Sequence, residues 1–134
     1  MTGLRGHFAE KAAAVGAVVT SAPDAETARS AVGREDGDRV AAGLFAVAET
    51  GSVAVALPRE QRGQALLADR LWLLVPSREL VPTLDDALAR IERLVREGSP
   101  YITLMTGPSR TADIERALTI GVHGPRELHV VLVG

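Results

Sequence analysis

Three short stretches hold the side chains best suited to chemistry, and glycine interrupts each of them. They are Ala48-Glu49-Thr50-Gly51-Ser52, Thr106-Gly107-Pro108-Ser109-Arg110-Thr111 and Gly121-Val122-His123-Gly124-Pro125. Glu49 follows apolar Val47 and Ala48 and precedes a Thr50-Gly51-Ser52 turn. A carboxylate in such a place can work as base, acid or nucleophile. The plainer alternative is that it accepts hydrogen bonds from the N–H groups of the following turn. The second stretch reads as a strand end that opens a helix. A helix start presents unpaired N–H groups and the positive end of the dipole, which suits a carboxylate or phosphate. Gly107 lets the backbone come close to a ligand, Ser109 and Thr111 offer hydroxyls, and Arg110 has the fork that grips an anion. Against this, Ser109 or Thr111 can simply cap the helix, with Asp113 and Glu115 answering its dipole. The lysine and glycine spacing of a P-loop are absent.

His123, between Gly121 and Gly124, is suited to ligand binding or proton transfer, and equally to a hydrogen bond with the loop backbone. His129 alternates with apolar neighbours and reads as strand packing, while His7 falls on an exposed helix face. The three histidines lack metal-ligand spacing, so no metal is expected. No Ser/His/Asp arrangement is recognisable, and Gly-Pro-Ser is not a nucleophile elbow.

The elements that must position these residues follow from hydrophobic spacing. Residues 4–15 read as a helix with Leu4, Phe8, Ala12 and Val15 on one face and Gly16 as its stop. A short strand at 17–20 precedes a small helix, with Gly33 past its end, and residues 34–38 form a polar loop. The stretch 39–51 is ambiguous: its first part reads as strand and Leu44–Ala48 as a short helix. Residues 52–57 read as a central parallel strand ended by Pro58. A helix over 60–69, weakened by Gly63, and a strand over 70–75 come next, with Trp72 packing. The clearest helix is 84–96, with Leu84, Leu88, Ile91 and Val95 at helical spacing. Thr83 is its N-cap with Asp86 three residues on, and Asp86–Arg90 and Glu92–Arg96 are pairs at i,i+4. Gly98 and Pro100 close it. A strand at 101–106, a helix at 109–118 and a strand at 128–133 complete the chain. This alternation predicts a three-layer α/β sandwich with a mainly parallel sheet.

Composition narrows the function classes. The chain has 134 residues, 46% hydrophobic, 24% charged and only 3% aromatic, enough for one domain with an aliphatic core. A formal net charge of −2 gives no basic field for nucleic acid or an anionic membrane. There is no cysteine, which excludes disulfides and Cys-ligated zinc or iron–sulfur clusters on these residues. No apolar run approaches the roughly 20 residues that span a bilayer. The N-terminal stretch lacks the pattern of a signal peptide, so a cytoplasmic location is expected.

The stretch GPSRTADIERALTIGVHGPRELHVVLV (107–133) strongly resembles the C-terminal signature of the LUD domain of LutC/YkgG-type lactate utilisation proteins. AVAETGSVAVAL (46–57) resembles the upstream Ala-Glu-Thr-Gly-plus-strand motif of that family, and RLWLLVPSRELVPTLDDAL (70–88) its next strand and helix start. The resemblance covers most of residues 38–134. It implies a fold similar to the NagB/RpiA/CoA-transferase-like superfamily. It implies an accessory, non-redox role in oxidising L-lactate to pyruvate, beside partner subunits that hold the iron–sulfur clusters, with no cofactor in this chain. A small carboxylate, a phosphate-bearing ligand or a partner subunit is expected at the 49–52, 107–113 and 121–125 loops. Glu49 matches the place of a catalytic carboxylate in superfamily relatives, and Thr50, Gly51, Gly107, Ser109, Arg110, Thr111, His123 and Gly124 are the implied ligand contacts. The alternatives are a transferase- or isomerase-like enzyme using Glu49, and a structural interaction domain. Family members carry a longer segment before the Ala-Glu-Thr-Gly motif. Here a short loop near residues 33–38 fills that place, so residues 1–134 are expected to form one compact or shortened domain.

Overall fold

Leu71, Leu73 and Val75 enter one buried cluster while Trp72 and Leu74 face another, so a single strand already shows a sheet covered on both sides. The computed structural model describes residues 3–58, 65, 67–98, 101–108, 111–114, 118–121 and 125–134, with no side-chain description for 111–121. The elements are α1 (Gly3–Ala14), β1 (Val18–Ala22), α2 (Ala25–Ala31), β2 (Asp38–Val47), β3 (Ser52–Ala56), β4 (Arg70–Pro76), β5 (Leu80–Val81), α3 (Leu84–Arg96), β6 (Ile102–Met105), β7 (Thr111–Ile114), β8 (Leu118–Gly121) and β9 (Glu127–Val133).

The strand order is β1-β9-β4-β2-β3-β6-β7-β8, with β5 also on β2. Helix α1 sends Phe8 and Ala12 onto one face, against Val53, Val55, Leu73 and Val130. Helix α3 sends Ala87 and Ile91 onto the opposite face, against Phe45, Val47, Ala54 and Ile102, and α2 covers Val131 and Leu74 beside it. The expected α/β class and three layers are therefore present. The sheet itself is mixed rather than mainly parallel. β1, β9, β4 and the first half of β2 run parallel, whereas β2–β3, β3–β6, β6–β7 and β7–β8 are antiparallel.

Two expected helices are strands. Leu44–Ala48 belongs to the long strand β2 and the turn after it. A register shift between Gly43 and Phe45 leaves Leu44 unpaired against β3, and both Leu44 and Phe45 face α3. That bulge breaks the period of two and imitates a helical repeat. The helix expected at 109–118 gives way to the β7–β8 hairpin, which extends the sheet from β6, Met105 opposite Thr111 and Ile102 opposite Ile114. β3 is antiparallel to both neighbours, not parallel; it is continuously apolar because both its faces are buried. The helix expected at 60–69 falls mostly outside the described residues, although Ala65 and Ala68 are buried in the core. Leu4 is exposed rather than core-facing.

The helix at 84–96 matches its sequence boundaries. Thr83 Oγ1 accepts from Asp86 N at 3.1 Å and donates to the Asp86 carboxylate at 2.9 Å. Arg96 pairs with Glu92. Arg90 pairs with Glu79 instead of Asp86 and lies 4.8 Å from the centre of the Phe45 ring.

The amino ends of the parallel strands carry a charged network. Asp38 starts β2 and accepts from Arg70 Nε at 2.8 Å, Trp72 Nε1 at 3.3 Å and Glu35 N at 3.4 Å. Arg70 also pairs with Glu35. Burial opposes ionisation of Asp38, but Arg70, the Glu35 N–H and the Trp72 indole together hold its carboxyl below the usual carboxylate range. Trp72 stacks on His129 with ring centroids 4.1 Å apart, and His129 Nε2 lies 2.9 Å from Glu127 Oε1. Trp72 and His129 thus have the packing roles read from the sequence.

Candidate functional site

The other end of β2 leads into the first of the three glycine-bearing stretches. Gly51 N donates to Val47 O at 2.9 Å, closing the turn between β2 and β3. Gly51 has φ +70°, and a Cβ there would lie 2.4 Å from Ala12 N. Gly107 has φ +72°, and a Cβ there would lie 2.2 Å from the Val15 carbonyl oxygen. Both glycines therefore let their loops press on the last part of α1 and the residues after it. The close approach that Gly107 permits is to the protein's own backbone.

Three hydroxyls form a row between these loops. Antiparallel pairing puts Val53 opposite Met105, which brings Ser52 beside Thr106. Ser52 Oγ lies 2.7 Å from Thr50 Oγ1 and 2.7 Å from Thr106 Oγ1. Ser52 is 1% exposed, while Thr50 and Thr106 are half-buried. No other side-chain partner of these three oxygens is found among the described residues.

Glu49 is held at the start of α3. Its Oε1 accepts from Leu84 N at 3.1 Å, the first N–H of α3, and its own N–H donates to Pro82 O at 3.1 Å. The sequence offered the following turn as the hydrogen-bond source; the donor instead comes from a helix start 35 residues away. The carboxylate is exposed, and it lies at the positive end of α3, where negative charge is favourable.

The structure thus brings Thr50 and Gly51 together with the loop of Gly107 through Ser52 and Thr106, while the Glu49 side chain is held at the start of α3. Thr111 begins β7 rather than a helix, so the helix-start argument for an anion at 107–111 does not apply to it. Ser109, Arg110, His123 and Gly124 lie outside the described residues. Ser52 and Thr106 were inside the stretches singled out in the sequence, but only the register of β3 on β6 reveals that they touch. Among the described residues no group of three His, Asp or Glu side chains is placed to hold a metal ion. No helix among them is long and apolar enough to cross a membrane. A separate apolar groove runs between α2 and β2, bordered by Arg29, Val40, Leu74 and Val133, and none of the candidate site residues lines it.

A mixed α/β sheet with helices on both faces and a polar turn cluster at one end is the class to which this architecture belongs. Residues 40–133 match the LUD domain model, and the chain belongs to the LUD domain family. It is 36% identical over 91 residues to lactate utilization protein C of Deinococcus radiodurans, covering 66% of this chain and 42% of that protein. It is 36% identical over 112 residues to lactate utilization protein C of an Exiguobacterium species, covering 81% and 48% respectively. The same-named protein of Geobacillus kaustophilus is 36% identical over 92 residues, covering 65% and 38%. The chain thus spans less than half the length of these curated relatives. Its fold is similar to the crystal structure of a DUF162 family protein from Deinococcus radiodurans. The TM-score is 0.70 at 21% identity, covering 98% of this chain and 96% of that one.

Proposed function

We propose that this chain is the LUD part of an accessory, non-redox component of a system that oxidises L-lactate to pyruvate. It works beside iron–sulfur partner subunits in the cytoplasm. The observation that carries this reading is the LUD match over residues 40–133, joined to relatives named for lactate utilisation. The reading includes the wider kinship with NagB/RpiA/CoA-transferase-like folds implied by the sequence resemblance. Glu49, Thr50, Gly51, Ser52, Thr106 and Gly107 form the described part of a surface for a small carboxylate or phosphate. Ser109, Arg110, Thr111, His123 and Gly124 are further proposed contacts.

The test is co-purification. Tagged chain expressed in lactate-grown cells of its own source should recover iron–sulfur subunits, and the isolated chain should not oxidise lactate. Repeated failure to recover partners that are demonstrably active contradicts the reading, as does lactate turnover by the isolated chain. A second reading makes Glu49 the working carboxylate of a transferase- or isomerase-like enzyme. Its exposed place at the start of α3 favours that reading. It requires that a substrate be found among CoA esters, sugar phosphates or hydroxy acids, and that Glu49→Gln abolish turnover without unfolding.

A further inference from the structure

The Thr50–Ser52–Thr106 row has a proton count that bears on which ligand it can take. Each hydroxyl carries one proton and two lone pairs. Two hydrogen bonds of 2.7 Å join the three oxygens, so two protons are used internally and the third has no partner among the described residues. Ser52 is 1% exposed. If both threonines donated to it, its own proton would be buried without an acceptor, a costly state. The row therefore points one way or the other. One end donates outward, and the other end offers only lone pairs.

We propose that this row selects a 2-hydroxy acid over the matching 2-oxo acid; the inference rests on the lactate reading above. A 2-hydroxy acid brings an acceptor, its carboxylate, and a donor, its hydroxyl, on adjacent carbons. It satisfies both ends of the row together. A 2-oxo acid brings two acceptors, and the row has one proton for them. The ends are no more than twice 2.7 Å apart, within reach of one small ligand.

The experiment is calorimetric titration of the 134-residue chain with L-lactate and, separately, with pyruvate. Wild type binds L-lactate on the order of five- to tenfold more tightly, the worth of one hydrogen bond. Ser52→Ala frees both threonine protons, so the ratio falls to about one or turns in favour of pyruvate. Thr50→Val leaves Thr106 as the one end, accepting from Ser52 and donating outward, so the contact to the ligand hydroxyl is lost and the ratio falls to about one while pyruvate affinity is kept. Thermal unfolding checks that each variant is folded; if Ser52→Ala is not, Thr50→Val carries the same test. A folded variant that keeps the wild-type ratio overturns the proposal. So does a wild-type chain that binds neither acid, or both equally. Those results leave the co-purification outcome standing, so the failure of the row and the failure of the lactate reading are separable.

Discussion

The two ends of β2 are built on opposite terms. At Asp38 the carboxylate is buried and surrounded by Arg70, Trp72 and the Glu35 N–H. Its oxygens already accept from three residues. At the Val47 end, the turn leads to neutral hydroxyls and an exposed carboxylate that retain hydrogen-bonding capacity. A buried charge demands partners and is stable only when it has them. A row of hydroxyls is satisfied cheaply and can still turn outward. The first end fixes the loop at 34–38 to β4, and the second keeps hydrogen-bonding capacity that its described neighbours do not use.

Breaking the strand between the ends has the largest effect. Phe45 is fully buried, so Phe45→Ala should cost about 3–5 kcal/mol in denaturant unfolding and weaken both ends together. Gly51→Ala acts on the hydroxyl end alone. Positive φ and the approach to Ala12 N predict a loss of about 1–3 kcal/mol, with ligand binding reduced and the Trp72 fluorescence of the folded state unchanged.

Asp38→Asn acts on the other end and has a smaller effect, seen mainly in its pH dependence. The folded pKa of Asp38 is lowered, so its ionised form adds stability above the unfolded carboxylate pKa of about 3.9. That contribution disappears as pH falls through the folded value. Asp24, held down by the Thr27 N–H, acts in the same direction. Wild type should therefore lose thermal stability on acidification below about pH 4, and Asp38→Asn should lose less over that window. An identical acid profile would contradict the assigned role of Asp38. Glu49→Gln has the smallest effect on folding, less than about 1 kcal/mol, because the amide still accepts from Leu84 N and only the charge–dipole part is lost.

Legibility in the sequence followed the range of the interaction. α3 was readable because its apolar period, Thr83 cap and Asp86 are local. β4 and β9 were readable as apolar runs bounded by polar or turn residues. β2 was misread in its second half because a bulge interrupts alternation, and no local signal marks where a strand gains an extra residue. The β7–β8 hairpin was misread because Ile114 and Leu118 stand one helical turn apart, whereas the hairpin bonds to β6, an edge invisible in the segment itself. Arg90 had two acids within reach and paired with the one that the fold delivers, Glu79. The site shows the same division. Glu49, Thr50, Gly51 and Gly107 stood out by type and setting, but Ser52 meeting Thr106 depends on strand register across 54 positions.

The most direct measurement is a methyl-resolved NMR titration of the chain with L-lactate. The account predicts that the methyl signals of Thr50 and Thr106 shift saturably, while that of Val40, at the groove beside α2, stays in place. Shifts confined to Val40 and its neighbours, or no saturable shift at the two threonines, would contradict it.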